Sequence, residues 1–397
     1  MIILNKNDIV PRDYLVSTLK HSMKAGIAVT IPYEDMHAAE KRRLDALKIL
    51  QDEFGIVNPN SNPQLSDFAM RSNDPIIQSC CFDTRKKKYS FSAENIAKLL
   101  EYDNRFGVIL NRYKDATSLI KTIKQIEDAV DMQGFIHPAV SLQLTNRISY
   151  TNPALMNIDK RLLWKIVQPR EAGWELWSVD VKNQEPWIFS HLIEDETLKA
   201  IVADAYVRKE SFYKVVFEHI YGHPVDSEYE YSEFKMGWNM LTYGGTKQGL
   251  VARCKAIDGA KLYDFYSKLP GYKKYSAACY SKAAKRITKD TTYFGSTVES
   301  TATTTSQLAR SLADIPIQGT AADILALLCK KITDNINDDA ALRGRFLIYY
   351  TRHDEIIFMV KRNPGETDED ITAIFHNIAD HMIDEWVPFM IDIEKVK

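Results

Sequence analysis

The sequence predicts an α+β fold, in which a small antiparallel sheet is fed by segments far apart in the chain and the rest is mostly helical. Three observations predict it. Residues 346–360 (Phe-Leu-Ile-Tyr-Tyr-Thr-Arg-His-Asp-Glu-Ile-Ile-Phe-Met-Val) are two aromatic, β-branched runs meeting at a charged centre, His353-Asp354-Glu355, which reads as a hairpin. Residues 174–180 (Trp-Glu-Leu-Trp-Ser-Val-Asp) alternate as a strand that ends in Asp180. Between and around these, apolar residues recur every three or four positions, as amphipathic helices require.

The elements follow in order. Residues 34–56 carry helical spacing through Met36, Leu44, Leu47, Leu50 and Phe54. A helix begins near Ser92, a good N-cap with Glu94 in its first turn. Residues 105–130 place Phe106, Ile109, Tyr113, Ala116, Ile120 and Ile123 on one stripe and leave Arg112, Lys114, Lys121 and Lys124 off it. The basic cluster Arg85-Lys86-Lys87-Lys88 reads as a solvated loop ahead of Ser92. A helix follows the first strand from about Glu185, and residues 200–290 are helical and rich in Tyr and Lys. Residues 291–307, rich in Ser and Thr, are expected to be loop. A helix resumes near Ser306, breaks at Pro316 and continues through 321–332. After the hairpin come a helix around 368–385 and a last strand, 388–393. There is no internal repeat and no Gly/Ser- or Pro-rich linker.

With 397 residues, 45% hydrophobic and 26% charged, the chain can bury a substantial core in two or three domains. A net charge of −2 gives no overall basic character, yet phosphate binding needs only a local basic groove. The five cysteines (Cys80, Cys81, Cys254, Cys279, Cys329) lack CxxC or metal-type spacing, so reduced thiols and an intracellular location are expected. No apolar run approaches the ~20 residues of a membrane span. The N-terminus has neither signal-peptide nor transit-peptide character.

A carboxylate pair between core strands is costly to desolvate unless a cation or metal faces it. If the strand ending in Asp180 lies beside the hairpin, Asp180 and Asp354 converge. They could then bridge two divalent cations ~3.5–4 Å apart, as in-line phosphoryl transfer uses. Mg²⁺ suits hard oxygen ligands and substrate phosphates. Either aspartate alone is an ordinary cap or turn residue. Lys235, Asn239 and Tyr243 fall at i, i+4 and i+8 on a helix ending in Gly244-Gly245. They could hold a triphosphate, a sugar edge and a base; a solvated helix face is the alternative.

At these residues the chain resembles family A DNA polymerases, the bacterial DNA polymerase I and phage type, from about residue 20 to 397. Asp180-Val-Lys-Asn-Gln-Glu185 is similar to the first palm motif, and Lys235-x3-Asn-x3-Tyr243-Gly244 to the nucleotide-binding fingers helix. Pro316-Ile-Gln-Gly-Thr-Ala-Ala-Asp323 is similar to the helix that tracks template and primer, and His353-Asp354-Glu355 to the second palm motif. Asn60-x2-Pro63-Gln64-Leu65, Thr145-Asn-Arg147-Ile-Ser149 and Pro153-x-Leu155-x-Asn157-Ile158 match the thumb entry and the primer-side segment. The resemblance implies a right-hand fold: a short N-terminal segment 1–33, a thumb at 34–130, a palm at 131–200 and 311–397, and fingers at 201–310.

It also implies an activity, DNA-directed synthesis that extends a primer 3′-hydroxyl with deoxynucleotides, using two Mg²⁺ ions with Mn²⁺ as the alternative. Asp180 and Asp354 are then the metal-binding carboxylates, Glu355 supports them, and His353 lies beside the primer terminus. Lys235 contacts the triphosphate and serves as general acid. Tyr243 stacks near the nascent pair and forms with Glu185 the steric gate against a ribose 2′-hydroxyl. Arg147 and Gln318 read the minor-groove side, where acceptors are nearly uniform. Asn157 and Gly244 join them as DNA contacts, and Lys121 and Lys124 as duplex-backbone contacts. The expected partners are primer–template DNA and deoxynucleotides, for a cytoplasmic monomer without membrane attachment.

The departures lie at the nucleotide. Tyr231 and Tyr213 stand where the family has Arg and His, and Asn239 where it has an aromatic residue. Lys214, Lys247 or Arg253 are the candidates to replace the missing cations. The residues before the thumb are too few for a proofreading domain, so no 3′–5′ exonuclease activity is expected. A single-subunit RNA polymerase and a non-catalytic nucleic-acid-binding relative are the competing readings.

Overall fold

The computed structural model describes residues 1–83 and 87–397; Arg85 and Lys86 of the basic cluster lie outside the described residues. Two compact units make up the chain. The first comprises Met1–Ala28, His137–Asn157 and Gln168–Lys397, and the second Val29–Ile136 with Ile158–Val167.

The first unit contains, in chain order, strand β1 (Trp174–Val181), helices α1 (Gln184–Leu192), α2 (Phe212–Tyr221), α3 (Glu228–Thr242) and α4 (Thr305–Asp338), and strands β2 (Phe346–Arg352), β3 (Glu355–Lys361) and β4 (Ile391–Lys395). The four strands form one antiparallel sheet in the order β2-β3-β1-β4. The expected pairing of distant segments is therefore present: Glu355 lies opposite Asp180, and Phe358 opposite Trp177. β3 is buried from Glu355 through Val360, as a central strand covered on both faces must be. Phe375, on the helix Asp368–Ala379, covers one face, with ring centroids 5.1 Å from Phe358 and 6.0 Å from Trp177. Glu355 and Asp180 belong to the opposite face, because side chains alternate along each strand.

Four local expectations are corrected. α4 runs unbroken through Pro316. Proline removes the N–H that would bond Leu312, but Ile315, Ile317 and all of Ala321–Cys329 are buried, and that packing outweighs one lost bond. Residues 291–307 are not all loop, since Lys289–Thr291 and Thr297–Glu299 pair as a small hairpin. The helix near 368 is capped by a Thr367–Asp370 capping box and stops at Ala379, because His381–Ile383 leave it to pair in parallel with Ile2–Leu4. The last strand is Ile391–Lys395, displaced toward the C-terminus from 388–393. α4 is also long and apolar enough to cross a membrane by length and composition, but its apolar window is 83% buried inside the protein.

The N-terminal residues are built into this unit. Beyond the strand Ile2–Leu4, the helix Arg12–Ala25 sends Arg12 Nη2 to the fully buried Asp323 of α4. The helices from 196 to 284 close on an aromatic core that includes Phe189, Phe212, Phe217, Phe234, Trp238 and Tyr266.

In the second unit, which contains all described residues of 34–130, the helices Tyr33–Phe54 and Arg105–Glu127 share a core of Met36, Ala39, Ala116, Ile120 and Ile123. A further cluster joins Leu50, Leu65, Phe91, Leu99, Phe106 and Leu110. Ser92 caps the helix Ala93–Glu101 by accepting the Asn95 N–H at 3.3 Å. Lys121 and Lys124 are exposed on the side of Arg105–Glu127 away from this core. Lys114 is not; its Nζ donates to the Phe91 carbonyl at 2.7 Å, and burial lowers its pKa.

Candidate active site

The first half of the site is made by strand register. Arg352 and Glu355 pair across a two-residue turn, and His353 takes a φ of 54° in it, a left-handed conformation that histidine adopts more readily than most residues. The Asp354 carbonyl accepts the Val181 N–H at 3.4 Å, which ties the turn to the end of β1. Asp180 thus has Glu355 on one side and Asp392 of β4 on the other, three carboxylates in one row across the sheet. Glu355 is buried and its Oε1 accepts the Ser178 hydroxyl, while Asp392 forms a 3.2 Å ion pair with Lys182.

Burial first, and then the negative charge of Asp180, push the Asp354 carboxyl well above the usual carboxylate range. At Asp354 a backbone hydrogen bond and the Arg147 charge oppose the rise without cancelling it. A raised carboxyl beside a second carboxylate is what a divalent cation would reverse, so Asp180 and Asp354 fit a Mg²⁺-type ion that also takes water and phosphate oxygens. Among the described residues no group of three or more His, Cys, Asp or Glu side chains is arranged around a single metal position.

The second half is a hydrogen-bonded cluster at the start of α1. Glu185, in its first turn, accepts from Arg147 through Oε1 and from the Tyr243 hydroxyl through Oε2 at 2.5 Å. Burial and the Glu185 charge raise the pKa of the Tyr243 hydroxyl, so it stays a donor. Gly244, at φ 82°, turns the chain at the end of α3; a Cβ there would lie 3.3 Å from Arg310 Cγ. His353 has its pKa lowered by burial and by the Arg352 and Arg147 charges, which favours the neutral ring.

The predicted nucleotide residues also come together, with altered chemistry. The Tyr213 hydroxyl donates to Asn239 Oδ1 at 3.1 Å, and the Tyr231 and Ser211 hydroxyls hydrogen-bond at 3.0 Å. Ser211 in turn donates to Asn183 Oδ1 at 3.2 Å. Lys235 is exposed, its Nζ 5.4 Å from the Tyr213 ring centroid. Lys247 is engaged elsewhere, 2.8 Å from Asp264. Lys214 and Arg253 are exposed.

Gln318 lies on α4, half-buried, and Asn157 is exposed at the end of the short turn Leu155–Asn157. Lys121 and Lys124 belong to the second unit. Sequence reasoning missed Asp392, although the alternation Ile391-Asp-Ile-Glu could have placed it on the face of Asp180. It also missed Asp314, a half-buried acid two residues before Pro316, for which the sequence held no signal.

A pocket beside Asp354 is lined by Arg12, Asn146, Arg147, Gln184, Ala322 and His353, among others. Three donors on its lining residues, Arg12 Nε, Asn146 Nδ2 and Gln184 Nε2, are buried without a hydrogen-bond partner among the described residues. Such groups are satisfied by water or ligand.

Comparison with known proteins shows the family and the fold. The sequence profile of DNA polymerase family A matches residues 34–395. DNA polymerase I of Mycobacterium bovis is 24% identical over 303 residues, which is 71% of this chain and 32% of that protein. DNA polymerase I of Mycobacterium tuberculosis matches to the same extent. The chain thus spans about a third of the length of these curated relatives. Among solved structures, the polymerase domain of Pol1 from M. smegmatis, in complex with DNA primer–template and dNTP, superposes with a TM-score of 0.76 at 23% identity. That match covers 97% of this chain and 69% of the other.

Proposed function

The chain belongs to DNA polymerase family A, and from that premise we propose that it extends a primer 3′-hydroxyl on a DNA template with deoxynucleotides. The observation that carries the reading is Asp354, whose carboxyl is driven upward by burial and by Asp180 at the end of the same sheet. A site that stores like charge in this way is built for a cation. On this reading Asp180 and Asp354 hold two divalent ions, Mg²⁺ first and Mn²⁺ as the alternative. The bound ions would supply charge neutralisation at the transferring phosphoryl group and a more acidic 3′-hydroxyl.

The chain's own side chains do the rest. Glu355, fixed by Ser178, keeps negative potential behind the pair. Lys235 contacts the triphosphate and delivers a proton to the departing pyrophosphate. Glu185, with its two oxygens held by Arg147 and Tyr243, forms a rigid wall against a 2′-hydroxyl. Arg147, Gln318, His353, Asn157 and Gly244 face the primer–template, and in the second unit Lys121 and Lys124 contact backbone phosphates. On this reading the thumb is residues 34–130, the palm 131–200 with 311–397, and the fingers 201–310.

One observation favours a weaker variant of this reading. Tyr213 and Tyr231 are engaged with Asn239 and Ser211, so the positions that carry cations in the family offer only hydroxyls. Nucleotide affinity is then low, and a purely nucleic-acid-binding role is the limiting case. Steady-state primer extension with deoxynucleotides and with ribonucleotides tests the proposal. The expected result is templated synthesis from deoxynucleotides at a high KM and little from ribonucleotides. Robust synthesis from ribonucleotides alone would point to an RNA polymerase instead.

A further inference from the structure

Residues 265–289 hold seven Lys or Arg and no Asp or Glu, in a chain whose net charge is −2. A block of like charge repels itself unless an opposite charge covers it. The centre of the block is the helix Pro270–Ala284. Two tyrosines fix its inner face to elements of the candidate site. The Tyr272 hydroxyl donates to the Leu241 carbonyl near the end of α3 at 3.3 Å, and the Tyr275 hydroxyl to the Ala313 carbonyl of α4 at 2.7 Å. Cys279 and Ala283 complete the buried side.

The outer face is of another kind. Lys273, Lys274, Tyr280 and Lys285 are exposed, with only alanine and serine exposed between them. Lys274 and Lys285 are about three turns apart, so they stand on one line roughly 16 Å long. Lys273, Lys274 and Lys285 have no acidic partner among the described residues, whereas Lys282 and Lys289 of the same block are paired with Asp290 and Glu299. Tyr280 is 49% exposed, and it also lines a small pocket with Gly244, Tyr272 and Arg310. The basic face is therefore continuous with the end of α3.

We propose that this face binds the unpaired template strand on its way to the site, as a single-stranded nucleic acid and without regard to sequence. The place of the strand in the reaction rests on the polymerase reading above; the chemistry of binding does not. Phosphates spaced ~3.4 Å along a strand put about five on the line from Lys274 to Lys285, so each lysine can neutralise a different one. Exposed Tyr280 offers a ring on which an unpaired base stacks, and a duplex presents no such base face along its length. The single strand is therefore the better fit.

Fluorescence anisotropy of labelled oligothymidylate with the full chain, without nucleotide or metal, tests the binding. Primer–templates that share one duplex and differ only in template overhang, about two against about twelve nucleotides, test its place. The variants are Lys273→Glu/Lys274→Glu/Lys285→Glu and Tyr280→Ala, with Lys273→Gln/Lys274→Gln/Lys285→Gln if the charge reversal does not fold. Three lost phosphate contacts should reduce the slope of log affinity against log salt for the single strand by about two. Tyr280→Ala should weaken the single strand at least about fivefold. Both changes should weaken the long overhang and leave the short one unaltered. Equal losses on the two overhangs would overturn the proposal, since the face would then meet the duplex. Unchanged affinity and slope for the single strand in folded variants would overturn it too, as would wild type that binds phosphatidylserine vesicles but not oligothymidylate. Failure of wild type to extend any primer, with these binding results intact, would instead remove the polymerase reading and leave the single-strand site standing.

Discussion

Asp354 and Asp314 are both raised above the ordinary carboxylate range, by burial and by a neighbouring carboxylate in each case. In the unfolded chain the same groups ionise near pH ~4. Between that value and about 7 the folded protein therefore holds protons that the unfolded chain has released. Stability of the metal-free protein should fall as pH rises through this window, the reverse of what a salt-bridged carboxylate gives. Thermal melts at intervals across the window should show this, with a shallower slope in Asp354→Asn. Mg²⁺ should raise the melting temperature most at the upper end, where Asp354 is ionised. An identical slope in wild type and Asp354→Asn would refute the assignment of the charge to this pair.

At the scale of elements, α4 is where local signals and tertiary packing disagree. Its Pro316 reads as a break, yet the helix continues, because a line of buried residues from Leu308 to Ile336 fixes it against its neighbours. Gly319 of this helix lets Thr292 approach: a Cβ would lie 2.7 Å from Thr292 Cγ2, and the Thr292 hydroxyl is held by Asp323 Oδ2 at 2.5 Å. Gly319→Ala should cost about 1–3 kcal/mol, as overpacking does, by pushing Thr292 off Asp323. Denaturant unfolding measures it, and a neutral effect would mean the Thr292 turn is free to move. The strands were legible for a different reason. Residues 346–360 and 174–180 carry dense aromatic and β-branched patterns, and a buried sheet fixes register strongly. Those residues suggested that Asp180 and Asp354 converge; the register itself sets Asp180 opposite Glu355. The Lys289–Thr291 and Thr297–Glu299 hairpin was not legible, because its short polar strands carry no apolar alternation. Asp314 gains meaning only from neighbours far away in the chain, which spacing alone cannot supply.

Across the first unit, N-terminal residues that precede the family match at 34 are part of the core rather than an appendage. Ile2–Leu4 pair in parallel with the strand His381–Ile383, and Arg12 forms an ion pair with the fully buried Asp323. Removing that guanidinium leaves a buried charge without a counterion. Arg12→Ala should therefore destabilise by about 3–5 kcal/mol, read by equilibrium unfolding. A loss near zero would mean Asp323 has another route to neutrality. The central claim concerns the sheet that these residues brace, namely that Asp180 and Asp354 together carry the chemistry. Its most direct test is the initial rate of primer extension with Mg²⁺ and deoxynucleotides for wild type, Asp180→Asn and Asp354→Asn, each first shown to be folded. Loss of several kcal/mol of charge stabilisation should slow each variant by about 10³-fold or more. Extension by either folded variant at the wild-type rate would contradict the account.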